Sequence, residues 1–133
     1  MKQHLCFVTK YYGVPKNGPS TFAHNFIKRV VNDSRYDVTV ISGETNQSIY
    51  GEKIVSYKSK HHVLDGFKIR KLLKRISKEK KIDIIYFNCF RNAIFSSNIQ
   101  IPYYLNVNDH HPFIKEKSDI WKKKGGGYLI TLK

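Results

Sequence analysis

The 133-residue chain contains no apolar run near the roughly 18 residues needed to cross a bilayer, so no membrane span is expected. Its start, MKQHLCFVTK, carries one early lysine and a short apolar run. Thr9 and Lys10 stand where a signal peptide would place small residues for cleavage. A buried first strand fits better, and without an export signal the cytoplasm is the expected compartment. Cysteine is scarce. Cys6 and Cys89 lie in or beside apolar runs with no C-x-x-C pair, which predicts buried, reduced thiols rather than a disulfide or metal site. The pairs His61-His62 and His110-His111 have no neighbours to complete a ligand set, so neither a metal nor another cofactor is expected. The dinucleotide fingerprint G-x-G-x-x-G and the P-loop G-x-x-x-x-G-K-[ST] are both missing, which disfavours a nicotinamide enzyme or an NTPase.

What is present is apolar residue enough for one globular domain, 41% of the chain. There is also an excess of 24 Lys and Arg over 10 Asp and Glu, a net charge of +14. Such a field implies anionic partners: nucleic acid, an acidic membrane surface or phosphorylated substrates.

His4 to Thr9 is a compact run of strand formers. Ser20 or Thr21 can cap a helix just after Pro19, with Phe22, Phe26, Ile27 and Val30 as its apolar face. NDSRYD, Asn32 to Asp37, breaks that helix, and strands are expected from Tyr36 to Ser42 and from Lys53 to Tyr57. Asp65 can cap a helix running to about Lys80, in which Ile69, Leu72, Leu73 and Ile76 recur at helical spacing. A fourth strand is expected from Ile82 to Phe87, a short helix around Asn92 to Ser97, and a fifth strand from Pro102 to Val107. Unalternating strands separated by helices predict an α/β fold: a Rossmann-like parallel sheet with helices on both faces. Ligands in such sheets sit outside the carboxyl ends of the strands, which directs attention to the segments after Thr9, Phe87 and Val107. Residues 1–120 would form the domain. Residues 121–133, KKKGGGYLITLK after Trp121, read as a linker or a strand begun and not continued. Lys and Gly codons suit homopolymer tracts, so a frame shift that ends a longer protein early is an expectation that the gene sequence can test.

The loop after Thr9, KYYGVPKNGPS, is rich in turn residues. Gly18 would let the backbone approach a ligand, and the free N–H groups at the start of the helix would favour an anion or sugar oxygens. An ordinary connecting loop is the alternative.

LCFVTKYYGVPKNGPSTFAHNFIKRV resembles the opening of GT-B glycosyltransferases of the large retaining group (family 4-like) that includes sucrose synthases and mannosyltransferases. YDVTVIS is similar to that group's next strand, KIDIIYFNCF to its D-I-I-H-x-H strand, and IPYYLNVNDHHPF to its I-P-x-V-x-T-x-H-D-x-x-P segment. The resemblance covers about residues 1 to 115 in the right order. It implies the N-terminal, acceptor-side half of a GT-B enzyme that moves a sugar, without an essential metal, from a nucleotide sugar to a glycan or lipid-linked acceptor, as in the synthesis of bacterial-type surface polysaccharide. Gly18, Pro19 and Ser20 would line the cleft, and Asn88 would hydrogen-bond a sugar hydroxyl. The family's His near the reacting sugar falls on Asn108, followed by Asp109, which either caps the next segment or bonds a sugar hydroxyl. His110 either replaces the missing proton carrier or is a polar loop residue. The first His of D-I-I-H-x-H falls on Tyr86 and the second on Asn88, which suits binding better than proton transfer. The C-terminal domain that grips the nucleotide sugar has no counterpart here. The chain alone is therefore expected to be inactive and to need a donor-binding domain on a separate chain.

Between Lys58 and Lys81 ten Lys or Arg stand against Asp65 and Glu79, giving +8 of the +14. Lys68, Lys71, Lys74, Arg75 and Lys78 flank the apolar stripe of the second helix. A basic amphipathic helix suits an anionic membrane surface, at which some GT-B enzymes dock, so peripheral attachment to the inner face of the membrane is expected. The other reading packs the stripe on the sheet and leaves the lysines solvated; the two are compatible. Nucleic acid is the rival from another class, but most aromatics fall in apolar runs and no RNP, KH, zinc or helix-turn-helix signature appears.

Overall fold

The computed structural model describes residues 1–45, 47–88, 100–106 and 129–132. Its elements are β1 (Gln3–Thr9), α1 (Gly18–Val31), β2 (Tyr36–Ser42), β3 (Lys53–Ser56), α2 (His62–Glu79), β4 (Ile84–Phe87), β5 (Tyr103–Asn106) and β6 (Leu129–Leu132). They form one sheet in the order β3-β2-β1-β4-β5-β6. The first five strands are parallel and β6 runs antiparallel to β5. The fold is a small Rossmann-like α/β domain.

Register sorts the side chains into two cores. Val55, Ile41, Val8, Phe87 and Leu105 lie level across five strands and face the cluster that holds Ile69, Leu73 and Ile76 of α2. One residue earlier, Ile54, Val40, Phe7, Tyr86 and Tyr104 form the opposite row, packed with Ala23 and Ile27 of α1. Alternation along each strand produces both rows. Because both faces are covered, the strands read as unbroken apolar runs. Phe7 stacks on Phe26 and Tyr86 with ring centroids 5.2 Å apart in each pair, which fixes α1 against β1 and β4. Complete burial of Ile69 and Leu73 is worth about 1.5–3 kcal/mol apiece.

The helix caps differ from those expected. Asn17, not Ser20 or Thr21, caps α1: its side chain accepts the Ser20 N–H at 2.9 Å, while the Ser20 hydroxyl receives the Asn17 N–H at 2.9 Å. Pro19 therefore sits inside the first turn, where its missing N–H does no harm. Helix α2 starts three residues before Asp65. The Asp65 carboxylate is buried and reaches back to the Lys60 N–H at 3.0 Å and to the Ser59 hydroxyl. β3 ends at Ser56, one residue short of Tyr57, β4 begins at Ile84 rather than Ile82, and β5 begins at Tyr103. The short helix around Asn92 to Ser97 lies outside the described residues. The apolar end of the tail, Leu129–Leu132, is β6 on the sheet edge. Cys6 is buried and unpaired, and burial followed by the charge of Asp37 pushes its thiol up to about 12, so it stays protonated. Cys89 is outside the described residues.

The carboxyl edge is closed by a tight crossing at Gly43. Its N–H donates to the Thr9 carbonyl at 3.1 Å and its carbonyl accepts from Ser59 at 2.9 Å. A Cβ there would stand 2.8 Å from Tyr57 Oη, 2.9 Å from the Lys10 carbonyl oxygen and 3.0 Å from Ser59 Cβ. Gly43→Ala is expected to lower stability by about 1–3 kcal/mol in urea denaturation. Adding Tyr57→Phe should recover only part of the loss, because the Lys10 carbonyl is backbone and cannot turn away.

Candidate functional site

The connections of β1 and β4 leave toward opposite ends of the sheet, so the carboxyl ends of these neighbours form the topological switch point. One step beyond the last apolar row, every strand presents a polar side chain: Ser56, Ser42, Thr9, Asn88 and Asn106. Alternation turns this row toward the α1 face. Ser42 uses its hydroxyl to turn its own chain, accepting from the N–H groups of Glu44 and Thr45, each at 3.3 Å. The Thr9 hydroxyl does the same by donating to the Tyr11 carbonyl at 3.0 Å.

The two asparagines act between elements. Asn88 extends the ladder through its N–H to the Val8 carbonyl at 2.8 Å. Its carboxamide nitrogen donates to Thr9 Oγ1 at 3.2 Å and to the Pro19 carbonyl at 2.9 Å. Its oxygen accepts from Asn106 Nδ2 at 3.2 Å. Thr9, Asn88 and Asn106 are all buried. A buried amide network of this kind is stable only when its members are partnered.

The loop between β1 and α1 bridges this edge. At its near end the Tyr12 hydroxyl donates to the Glu52 carboxylate through a short hydrogen bond. Glu52 is buried at the foot of β3 and also accepts from the N–H groups of Ile49 and Tyr50 at 3.0 and 2.7 Å and from the Ser48 hydroxyl at 3.2 Å. Burial works to raise the Glu52 pKa, but these donors outweigh it and the carboxyl lies below its ordinary value. Burial and the Glu52 carboxylate together push the Tyr12 phenol far up. Gly13 then turns with φ of 121°, a conformation that favours glycine. Tyr50 also touches α1, its hydroxyl 2.6 Å from His24 Nε2.

Of the residues singled out from sequence, Gly18 is exposed and a Cβ there would meet open space. Pro19 is half-buried and Ser20 fully buried. The expected free N–H groups at the start of α1 are largely spoken for. Pro19 has none, Ser20 donates to Asn17 Oδ1, and Thr21 donates to the Asn17 carbonyl. Among the described residues only Gly18 keeps its donor, so the cap has taken the place an anion would need. Asn88 lies at the site, but both its amide hydrogens point into the protein. Asn108, Asp109 and His110 lie outside the described residues.

On α2, Lys71, Lys74, Arg75 and Lys78 are exposed, whereas Lys68 is half-buried and gives its ammonium to the Lys58 carbonyl at 3.1 Å. Sequence reasoning missed Thr9, Ser42, Asn106 and the Tyr12–Glu52 pair. Thr9 and Ser42 each stand last in an apolar run, and that position was the available signal; Asn106 is followed by Val107 and carried no such mark. Among the described residues no cluster of three His, Cys, Asp or Glu is placed to hold a metal, and no helix is long and apolar enough to cross a membrane.

Comparison with family models, with curated proteins and with solved structures finds no match for the chain.

The Glu52 contribution has a defined pH dependence. A carboxyl whose folded pKa lies below its ordinary 4.5 stabilises fully above that value and loses its contribution as pH falls through the folded pKa. Glu52→Gln should cost about 1–3 kcal/mol at pH 7. Thermal melts from pH 6 to pH 3 should show the gap between the two proteins narrowing toward the acid end.

Proposed function

We propose that the chain is the acceptor-side, N-terminal domain of a GT-B glycosyltransferase, completed by a donor-binding domain on a separate chain. The observation that carries the proposal is a loop that leaves β1 at the switch point of a 3-2-1-4-5 parallel sheet, tied at one end to Glu52 before β3 and at the other to Asn88 after β4, beside a row of buried amides and hydroxyls. In the complete enzyme the acceptor hydroxyl would attack the anomeric carbon of a nucleotide sugar. The bond from that carbon to the diphosphate oxygen would break, and the hydroxyl proton would pass to a base in the segment after β5 or to the departing diphosphate. This half would supply shape and hydrogen-bonding surface, and donors across the cleft would stabilise the leaving diphosphate. Asn108, Asp109 and His110 follow β5 in the chain and are the groups proposed to face the reacting sugar. Its place would be the cytoplasmic side of a membrane.

The outer face of α2 favours a second partner, an anionic lipid surface. Ile69, Leu73 and Ile76 are buried against the sheet, so the apolar stripe itself is not available. The opposite face carries the exposed side chains of Leu64 and Phe67 in the first turns, then Lys71, Lys74, Arg75 and Lys78. An apolar tip with a basic shaft fits a bilayer surface. Nucleic acid fits less well, because Phe7, Tyr86 and Phe87 are buried and Phe22, Phe26, Tyr103 and Tyr104 pack on the cores, which removes them as stacking platforms.

Sugar-nucleotide binding and hydrolysis should be measured with the purified chain alone and with the product of any adjacent downstream reading frame. Activity only in the mixture is expected, and no binding in either case would end the transferase proposal. In sedimentation with phosphatidylglycerol vesicles, Lys71→Glu with Lys74→Glu should weaken binding by roughly tenfold or more. Leu64→Ser should weaken it further at high salt. Stronger retention by RNA than by vesicles would overturn the lipid assignment.

A further inference from the structure

We propose that Asn88 is a positioning residue: its carboxamide sets where the loop between β1 and α1 stands over the switch point, and so the width of the cleft, without touching the ligand. That a cleft is formed there and holds a ligand is taken from the function proposed above; the position of the loop does not depend on it.

The orientation of the amide follows from its partners. The Pro19 carbonyl can only accept, so the nitrogen must face it, and the oxygen is then left for Asn106 Nδ2. Both hydrogens are spent, one on Thr9 at the end of β1 and one on Pro19 in the first turn of α1. One side chain on β4 therefore holds both ends of the β1–α1 connection, across 79 and 69 residues of sequence. The bond to α1 is made to backbone, so it reports the position of the helix start whichever side chains line the loop. Aspartate could not replace Asn88, since it has no hydrogen for the Pro19 carbonyl and would set negative charge against it.

Tyr12 and Glu52 form the second anchor. Val14 to Gly18, the exposed span, lies between the two anchors and is held before any ligand arrives. Holding it in advance removes the ordering cost that a free loop would add to binding.

The test is hydrogen exchange and NMR on the purified chain, with no ligand present. Asn88→Asp and Asn88→Ala should speed exchange of the Lys16 and Asn17 amides, which donate to the Ser20 hydroxyl, by tenfold or more while the β2 amides of Val38 to Ile41 keep their wild-type rates. The Asn106 side-chain amide resonances should move toward random-coil positions. Thr9→Val, which at constant shape removes one acceptor of Asn88 together with the Thr9 bond to the Tyr11 carbonyl, should produce a smaller change at the same two amides. Asn88→Gln, which keeps both functional groups, should restore part of the protection. Equal acceleration at Lys16 and Asn17 and in β2 would mean general destabilisation and would overturn the proposal. So would wild-type protection of the loop in a folded Asn88→Ala or Thr9→Val protein. Loss of loop protection with no sugar-nucleotide binding by any completed enzyme would leave the positioning role standing and remove the transferase reading.

Discussion

The register of the five parallel strands is the constraint on which the other features depend. Pairing Phe7 with Val40 and Tyr86 puts one apolar row under α1, and the next step, Val8 with Ile41 and Phe87, puts the other under α2. A slip of one residue in any strand would exchange its rows, mismatch side-chain volumes against both helices and break the polar row at the carboxyl edge. The same register brings Thr9, Asn88 and Asn106 level at the carboxyl edge. The site is therefore not added to the sheet. It is the row in which the apolar pattern stops.

That row is buried, which gives its composition a physical logic. A lone charged group there would face a large desolvation penalty. Asparagine carries two donors and an acceptor at no charge, and in Asn88 all three functions are matched across three elements. The amide gives this position a rigid tie and carries no group that could exchange a proton near neutral pH. Proton transfer in a complete enzyme would then have to come from residues beyond this row, which directs attention to the segment after β5.

Much of the architecture was legible because it rests on local pattern. The bounds of β2 agree from Tyr36 to Ser42, and β1 differs by one residue. The sheet type followed from runs such as IDIIYF that do not alternate. The α1 cap was misplaced because Pro19 looked like a boundary, while the pairing of Asn17 with Ser20 across three residues is an uncommon form of the capping box. The start of α2 escaped because His61 and His62 are not usual cap residues and Asp65 acts from within the helix. β6 follows three glycines, and its pairing with β5 is a long-range choice that periodicity does not report. Asn88 could be marked by its place after a strand. That its hydrogens point inward depends on partners 69 and 79 residues away, which no local pattern carries.

Parallel topology also links the two surfaces discussed above. Each helix follows a strand, so both α1 and α2 begin at the carboxyl edge. The first turns of α1 carry the anchored loop, and the first turns of α2 carry Leu64 and Phe67. The apolar tip of α2 and the polar row thus share one edge of the sheet on opposite faces, while the basic shaft runs down from that edge toward Lys78. A lipid surface engaged at the tip would lie beside the cleft rather than at the far end of the domain. An acceptor held by its lipid could then reach the switch point with its hydroxyl end while its anionic linkage passed the lysines of α2. The charge of this chain would in that case govern where the acceptor is presented, and the uncharged amide row would govern how it is held.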